Sequence, residues 1–269
     1  MSAESAYGAG DFDAAGHFIR AAVTAYHAAR DEWGEADALA VQGSLARTAG
    51  DPAAAVKLYR QALSLFNIVG DLTSTARLYH ALAEVRFTTG DYEESAAVQH
   101  EGLALLPDDP VMLEGLGYAL WYAGHEANAL TYLSRALSSA PEKASALLAR
   151  GQIQADLDRP RPALADLDRL TGREPDQPEF RADLRSARGL SLAAIGRTPE
   201  AEAELRAALL LAPQRARTHL RIAAVRLRAG DTVRARAALR AALGAADPLP
   251  PEHIERARRM LGRLAETRV

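Results

Sequence analysis

Residues 113–141 read LEGLGYALWYAGHEANALTYLSRALSSAP, and this stretch decides the fold. Leucines recur at spacings of three and four on both sides of Gly124, which is the pattern of a helix with one apolar face. Gly124 itself suits the left-handed conformation in which many helices end. Pro141 disfavours helix for the residue before it. The stretch therefore predicts two short helices that pack as an antiparallel hairpin.

The same turn recurs along the whole chain. Turn segments begin at Gly10, Gly50, Gly90, Gly124, Asp158, Gly196 and Gly230, with spacings of 40, 40, 34, 34, 38 and 34 residues. A small residue follows each turn by five positions, and a proline follows four of the turns by 17 positions. Start signals follow some turns: Asp51-Pro52 places a capping side chain before a first-turn proline, and Asp91 with Glu94 has capping-box spacing. A fixed period of this length indicates a repeat protein.

The residues of the first stretch carry a family resemblance. Leu113, Leu116, Gly117 and Leu120, followed by Gly124, Ala129, Ala136 and Pro141, resemble a tetratricopeptide repeat. The resemblance covers essentially the whole chain and implies an all-α, right-handed superhelical solenoid of antiparallel helix pairs in a single domain. The 40-residue spacings at the start resemble the longer-helix variants of bacterial members of this family.

The repeat boundaries follow from the turns. We expect an incomplete repeat at 1–35, whose second helix runs from Asp11 to Arg30, and a capping helix at 250–269. Six full repeats lie between them, at about 36–69, 76–109, 110–143, 144–177, 182–215 and 216–249. The capping segment is amphipathic, with Ile254, Ala257, Met260, Leu261 and Leu264 on one face. It matches the helix that a stacked array needs to cover its last apolar surface.

Two repeats depart from an apolar pattern at a pair of facing positions, eight residues before and after the turn. Arginine occurs there only where the same repeat supplies an acid opposite it, as Arg150 with Asp166 and Arg188 with Glu204. Antiparallel geometry brings these positions together. We therefore predict one ion pair inside each of these two repeats.

No constellation of residues indicates catalysis or a cofactor. The chain has no cysteine, which excludes disulfides, thiol nucleophiles and thiolate metal sites. It also lacks a His-Glu-x-x-His motif, a phosphate loop and a nucleophile elbow. His80 and Glu84 are spaced i, i+4, but two ligands without a third favour an ordinary polar contact over a metal site. We expect a non-enzymatic protein that binds no metal, cofactor or small-molecule substrate.

The N-terminal sequence lacks the basic start and apolar core of a signal peptide. No stretch reaches the roughly 18 to 20 apolar residues that a membrane span requires. These features predict a cytoplasmic protein without membrane contact.

What the resemblance implies about function is a concave groove, lined by the first helix of each repeat, that holds a peptide or protein segment. In the family's phase the candidate groove residues are Arg77, His80, Glu84, Phe87, Glu114, Tyr118, Trp121 and Gln152. Later equivalent positions include Leu190, Leu220 and Ala224. Aromatic side chains are favoured anchors for a partner, although Trp121 fits packing between neighbouring repeats equally well.

The distribution of charge leaves alternatives open. Residues 214–269 hold 13 arginines and five acids, a balance of +8, whereas residues 1–213 carry −11. Opposite charge at the two ends permits self-association into a homo-oligomeric scaffold. The arginines would also suit nucleic acid, but no aromatic residue for base stacking lies in this region. We therefore favour an adaptor for an unidentified protein or peptide.

Overall fold

The computed structural model describes residues 12–247 and 249–266. These residues form 14 α-helices, one 3₁₀ turn and no strand. The helices are α1 (Phe12–Ala29), α2 (Glu32–Thr48), α3 (Pro52–Val69), α4 (Leu72–Thr88), α5 (Tyr92–Leu105), α6 (Pro110–Tyr122), α7 (Glu126–Ser139), α8 (Ala144–Asp156), α9 (Pro160–Leu167), α10 (Pro178–Ala194), α11 (Thr198–Leu211), α12 (Ala216–Arg228), α13 (Thr232–Gly244) and α14 (Pro251–Glu266). The predicted all-α architecture of helix pairs is confirmed. The parts of the incomplete repeat at 1–11 and of the capping helix at 267–269 lie outside the described residues.

The chain divides into two compact units, Met1–Ala119 and Leu120–Val269, which we call unit 1 and unit 2. In unit 1, α2 packs against α3 and α4 against α5. Its core contains Tyr59, Phe66, Leu78, Leu82 and Val85. These side chains come from α3 and α4, so the core joins successive helix pairs.

Helices α2, α3 and α4 have 17, 18 and 17 residues, which accounts for the 40-residue spacing of the first turns. The added turn is at the starts of α2 and α4 and at the end of α3. Asp31 accepts a hydrogen bond from the Gly34 amide at 2.9 Å, and Asp71 accepts one from the Ser74 amide at 3.0 Å. These caps begin α2 and α4 four residues ahead of the expected repeat boundaries, because they satisfy free amides of the first helical turn.

Asp51 caps α3 as expected, accepting from the Ala54 amide at 2.9 Å. The capping box expected at Asp91 is absent. The Asp91 side chain makes no cap hydrogen bond, but accepts one from Thr89 Oγ1 at 3.0 Å and lies 3.5 Å from Arg86 Nη1. A preceding hydroxyl and a neighbouring cation thus compete successfully for this carboxylate.

The turn residues adopt the predicted positive φ. Gly50, Gly90, Gly124, Gly196 and Gly230 have φ between 74° and 89°. Asp158 stands where the other described turns have glycine and still adopts a φ of 58°. The backbone conformation of this turn is therefore kept even without glycine.

In unit 2, α8 packs against α9, α10 against α11 and α12 against α13. Gly151 and Gly189 permit the close approach within two of these pairs: a Cβ on Gly151 would lie 2.6 Å from Leu167 Cδ2, and one on Gly189 2.8 Å from Leu205 Cγ. Helix α9 is short and continues as a 3₁₀ turn, Asp168–Leu170.

Both predicted ion pairs are present in unit 2. Arg150 Nε and Nη2 each donate to the Asp166 carboxylate at 2.7 Å. Arg188 Nη1 donates to Glu204 Oε1. Asp166 is nearly buried, with 7% of its side chain exposed.

Helix α14 caps the last helix pair, as expected. Ala257 is 1% exposed and forms an apolar cluster with Ala223, Ala238 and Leu239. Met260, Leu261 and Leu264 pack around this cluster. The predicted apolar face of α14 is therefore the buried one.

Candidate functional site

A pocket of about 410 Å³ in unit 1 gathers polar and aromatic side chains from four helices. It is lined by Arg47, His80, Ala83, Glu84, Phe87, Thr88, Ser95, Gln99, Val111, Glu114, Gly115 and Tyr118. We call it the unit 1 pocket. Its walls come from α2, α4 and α6, the first helices of successive pairs, and from α5.

A chain of polar contacts fixes the orientation of His80. Gln99 Nε2 donates to His80 Nδ1 at 2.8 Å, so the ring proton of neutral His80 is on Nε2. Nε2 lies 3.6 Å from Glu84 Oε1, and the other Glu84 oxygen lies 3.3 Å from Arg47 Nη1. The predicted polar contact between His80 and Glu84 is confirmed, and Glu84 is held between two donors.

Gly115 allows α6 to approach the side chains of α4 and α5 closely at the wall of the pocket. A Cβ on Gly115 would lie 2.3 Å from Gln99 Nε2 and 3.2 Å from His80 Cε1. Only glycine permits this approach without displacing Gln99. The neighbouring Glu114 is 8% exposed, so a carboxylate is placed in a largely desolvated wall.

Unit 2 contains a second group of polar side chains, centred on two buried arginines of α12. Arg221 is 2% exposed. It donates to both Asp156 oxygens at 3.0 Å and to Gln152 Oε1 at 3.0 Å. It also donates to Ser186 Oγ at 3.0 Å. Burial raises the pKa of Asp156, but the charge and hydrogen bonds of Arg221 outweigh it and hold that pKa below its usual value.

Arg217, one turn earlier, is held by aromatic rings. It is 3% exposed, and its guanidinium carbon lies 4.0 Å from the centroid of Trp121 and 5.3 Å from that of Tyr122. Nη2 donates to the Tyr122 hydroxyl at 2.9 Å. Among the described residues, Nη1 has no hydrogen-bond partner and no carboxylate pairs with Arg217.

Helix α14 lies over α12, which carries both arginines, and over parts of α8 and α10. A Cβ on Gly124 would lie 2.6 Å from Glu252 Cδ, so the first turn of α14 reaches the turn between α6 and α7. A cavity of about 70 Å³ separates α14 from α8, α10 and α12; it is bordered by Asp156, Leu190, Arg217, Leu220, Arg221, Ala224, His253, Arg256 and Met260, among others. Burial lowers the pKa of His253 to about 4, so this imidazole is neutral near pH 7.

The comparison with known proteins follows the same division into repeats. A sequence profile of the tetratricopeptide repeat matches residues 41–110, 115–178 and 186–250, which together make up most of the chain. This chain belongs to the tetratricopeptide repeat family. Tandem helical repeats of this kind stack into extended surfaces that bind other proteins. No curated protein sequence matches the chain significantly.

Solved tetratricopeptide repeat structures share the fold at low identity. A tetratricopeptide repeat protein from Parabacteroides merdae is 15% identical with a TM-score of 0.57, covering 86% of this chain and 98% of its own. YrrB, described as having an unusual peptide-binding site, is 21% identical with a TM-score of 0.57, covering 73% and 95%. The Cut9–Hcn1 complex of the APC/C matches at 15% identity and a TM-score of 0.65, covering 97% of this chain and 48% of that chain.

The eight predicted groove residues lie in three different places. His80, Glu84, Phe87, Glu114 and Tyr118 line the unit 1 pocket. Arg77 is exposed on α4 outside that lining. Trp121 and Gln152 lie in unit 2, where both are buried against the arginines of α12.

Sequence reasoning missed the roles of Arg221 and of α14. A signal for Arg221 was available, since the equivalent positions nine residues before the turn are Val41 and Ala81 in the earlier repeats. An arginine at a small apolar position calls for a partner. That partner, Asp156, is 65 residues away, and no repeat spacing connects the two.

Several arginines of residues 214–269 form ion pairs with acids of unit 2. Arg215 pairs with Asp183 at 2.7 Å, Arg226 with Glu202 at 2.6 Å and Arg228 with Asp158 at 2.5 Å. Because these three charges are matched by acids, they would not contribute to the kind of unpaired basic stripe that binds nucleic acid. Across residues 12–247 and 249–266, no helix is long and apolar enough to cross a membrane.

Proposed function

We propose that this protein is a non-enzymatic adaptor that holds a segment of another protein in the unit 1 pocket, and that this segment inserts a basic side chain there. The single observation that carries the proposal is the pocket itself. Its 410 Å³ volume is bordered by two acids and two aromatic rings on consecutive first helices. A concave site with a few convergent polar groups is the usual form of a binding site.

The negative charge of unit 1 favours a basic partner. Residues 1–119 contain 17 acidic residues against seven lysines and arginines, a net charge of −10. Within the pocket, Arg47 and His80 both face Glu84, and Glu114 adds a second carboxylate to the same lining. A lysine or arginine of the partner would meet Glu114 in a desolvated wall, where a charge-assisted hydrogen bond is strong.

The aromatic walls favour the same ligand. Phe87 and Tyr118 present ring surfaces beside the acids. Phe87 is itself braced by Tyr92, with ring centroids 5.2 Å apart in a T-shaped arrangement. A guanidinium stacks on such rings while it donates to a carboxylate, and its apolar stem covers ring surface.

The test is selection of peptides from a displayed random library on the full-length protein. We expect the selected peptides to share a lysine or arginine next to an apolar residue. Glu114→Gln should weaken binding of a selected peptide about tenfold, as expected for the loss of a charged hydrogen bond of about 1.5 kcal/mol. Tyr118→Ala should weaken it to a similar degree.

The matched control is Glu32→Gln, which makes the same change of charge at an exposed position in the first turn of α2. Its affinity should stay within twofold of the wild type. Selected peptides without a basic residue, or affinities insensitive to both pocket variants, would contradict the proposal. Size-exclusion mass at low and high salt separates it from the alternative of charge-driven self-association, which requires larger species at low salt.

A further inference from the structure

The face formed by α8, α10 and α12 in unit 2 is covered by the chain's own helix. Leu190, Leu220 and Ala224 on this face line the cavity beneath α14 together with His253 and Met260 of that helix. These are positions at which a tetratricopeptide repeat would receive a partner. The first turn of α14 reaches as far as Gly124, while Ala257 is buried against α12 and α13. Helix α14 is therefore more than a cap on the last pair: it lies on this face as a bound helix would.

The fit of α14 to this face is incomplete. A cavity of 70 Å³ remains beneath it, and about 10 to 15 Å³ is enough to hold one water molecule. His253 points its neutral ring into surroundings that contain Arg217, Arg221 and Arg256 with only Asp156 as an acid. Asp156 is already engaged by Arg221 at 3.0 Å.

Arg217 makes no direct ion pair beneath α14: the charge of Asp156 is close enough to interact with it, but the Asp156 carboxylate is bonded to Arg221. A buried cation without a carboxylate is costly, and the ring faces of Trp121 and Tyr122 offset that cost only in part. A carboxylate at the place of His253 would supply the missing anion. The remaining contacts of α14 come from apolar residues four, seven, eight and eleven positions later: Ala257, Met260, Leu261 and Leu264.

We propose that the face of α8, α10 and α12 is a second docking surface for an amphipathic helix that carries a carboxylate in its first turn, and that α14 occupies this surface in cis until such a helix replaces it. The partner helix presents an acid, then a small residue four positions later, then apolar residues three, four and seven positions after that. This surface lies wholly within unit 2 and is independent of the unit 1 pocket.

Two fluorescent peptides with the sequence of residues 250–266 test the proposal, one native and one carrying His253→Glu. They are titrated into the full-length wild type, into Ala257→Glu, which puts a charge on the buried face of α14, and into the control Arg258→Gln. Arg258 is exposed, and this substitution changes the net charge by the same amount. We expect both peptides to bind Ala257→Glu at least tenfold more tightly than the other two proteins, because a tethered helix competes at roughly millimolar effective concentration.

The preference for a partner helix with a carboxylate is tested with the Ala257→Glu protein. The His253→Glu peptide should bind Ala257→Glu about tenfold more tightly than the native peptide, and adding Arg217→Gln should abolish that preference. Equal binding of the two peptides would overturn the acidic partner. Equal affinity for the wild type and Ala257→Glu would overturn cis occupancy. A concentration-dependent wild-type dimer that Ala257→Glu abolishes would show that the occupant is α14 of a second copy, and would also overturn the proposal.

Hydrogen exchange on the wild type keeps the proposal testable if Ala257→Glu does not fold. An excess of unlabelled His253→Glu peptide should lower the protection of amides in the chain's own α14, while α11 amides keep theirs. Unchanged protection of α14 at saturating peptide would overturn the proposal.

Discussion

Unit 1 has Leu82 and Val98 at the facing positions of a helix pair, whereas unit 2 has Arg150 with Asp166 at the same positions. The turn, the spacing and the pairing of helices are the same in both cases. The fold therefore tolerates either an apolar contact or a bidentate ion pair at this point. Because a buried ion pair recovers little more than its own desolvation, the exchange alters the specificity of packing more than its stability.

The two units also differ in the side chains that their first helices present at the surface. In unit 1 an acidic and aromatic pocket stays open between the first helices, and the unit carries a net charge of −10. In unit 2 the corresponding helices hold buried arginines, and α14 covers them. On the two proposals made above, unit 1 offers an open site for a basic segment and unit 2 a covered site for an acidic one.

The largest effect is expected when one member of an ion pair of unit 2 is removed. Asp166→Ala leaves the partly buried Arg150 without its bidentate partner, and breaking a buried pair in this way costs about 4 kcal/mol. Introducing the residues of unit 1, as Arg150→Leu with Asp166→Val, should return stability to within about 1.5 kcal/mol of the wild type. Urea denaturation followed by far-UV circular dichroism measures both changes.

The exposed pair of Arg197 with Glu200 is the matched control for this comparison. Glu200→Ala should lower the urea midpoint far less than Asp166→Ala, because solvent screens an exposed pair. A double variant as unstable as Asp166→Ala would show that the two units do not share an interchangeable contact.

A pH dependence is expected for unit 2 through His253. When α14 is not docked, this imidazole takes up a proton near its ordinary pKa of 6.5. In the folded chain burial lowers the pKa of His253 to about 4. Asp156 acts to raise this pKa, whereas the charges of Arg217, Arg221 and Arg256 lower it further. The stabilisation is therefore complete above pH 6.5 and is lost as the pH falls towards 4. The slope is about 1.4 kcal/mol per pH unit and the total about 3 kcal/mol.

The measurement is the difference in unfolding free energy between the wild type and His253→Gln at pH 7, 6 and 5. This difference should become smaller as the pH is lowered, because His253 takes up a proton on unfolding and glutamine does not. In the Ala257→Glu background, where α14 is detached, it should not depend on pH. A difference that is constant with pH in the wild-type background would mean that His253 is not desolvated by docking of α14.

The repeated elements of the molecule could be predicted from the sequence because each depends on residues close together in the chain. The positive φ at Gly124 and the pairing of Arg150 with Asp166, 16 residues apart, follow from the turn between two helices. The first turns of α2 and α4 were missed because the repeat boundaries were set from the turns, and the caps at Asp31 and Asp71 lie outside the 34-residue unit.

The site was predictable to the extent that it lies on consecutive first helices. His80, Glu84, Phe87, Glu114 and Tyr118 share one pocket as the repeat phase indicates. The pairing of Arg221 with Asp156 was not predictable in this way, because it joins helices of different repeats. The position of α14 on the last helix pair was predicted, but its extension over α8 and α10 was missed for the same reason. Amphipathicity shows that a helix is buried on one side, but not against which helices.

The smallest effect is expected at the helix starts, where α3 of unit 1 and α11 of unit 2 differ. Asp231 caps α13 of unit 2 with its side chain, as the aspartates of unit 1 cap their helices. Asp31, Asp51 and Asp71 cap helices of unit 1 with their side chains. Asp51→Ala removes one such cap and should destabilise the chain by about 1 kcal/mol, a typical value for the loss of an N-cap. The urea midpoint should fall with no change in the helical signal of the folded protein.

In unit 2 the residue before α11 is Arg197, which makes no side-chain cap hydrogen bond and places a positive charge where the helix dipole is also positive. Arg197→Asp supplies a cap together with Glu200 at the spacing of a capping box, so it should raise the urea midpoint even though it removes an exposed ion pair. Opposite shifts in Asp51→Ala and Arg197→Asp would show that the acidic residues of unit 1 stabilise helix starts as well as setting its charge. If Arg197→Asp lowered the midpoint, the exposed pair with Glu200 would be worth more than a cap, and α11 would have a different but equally effective way to begin.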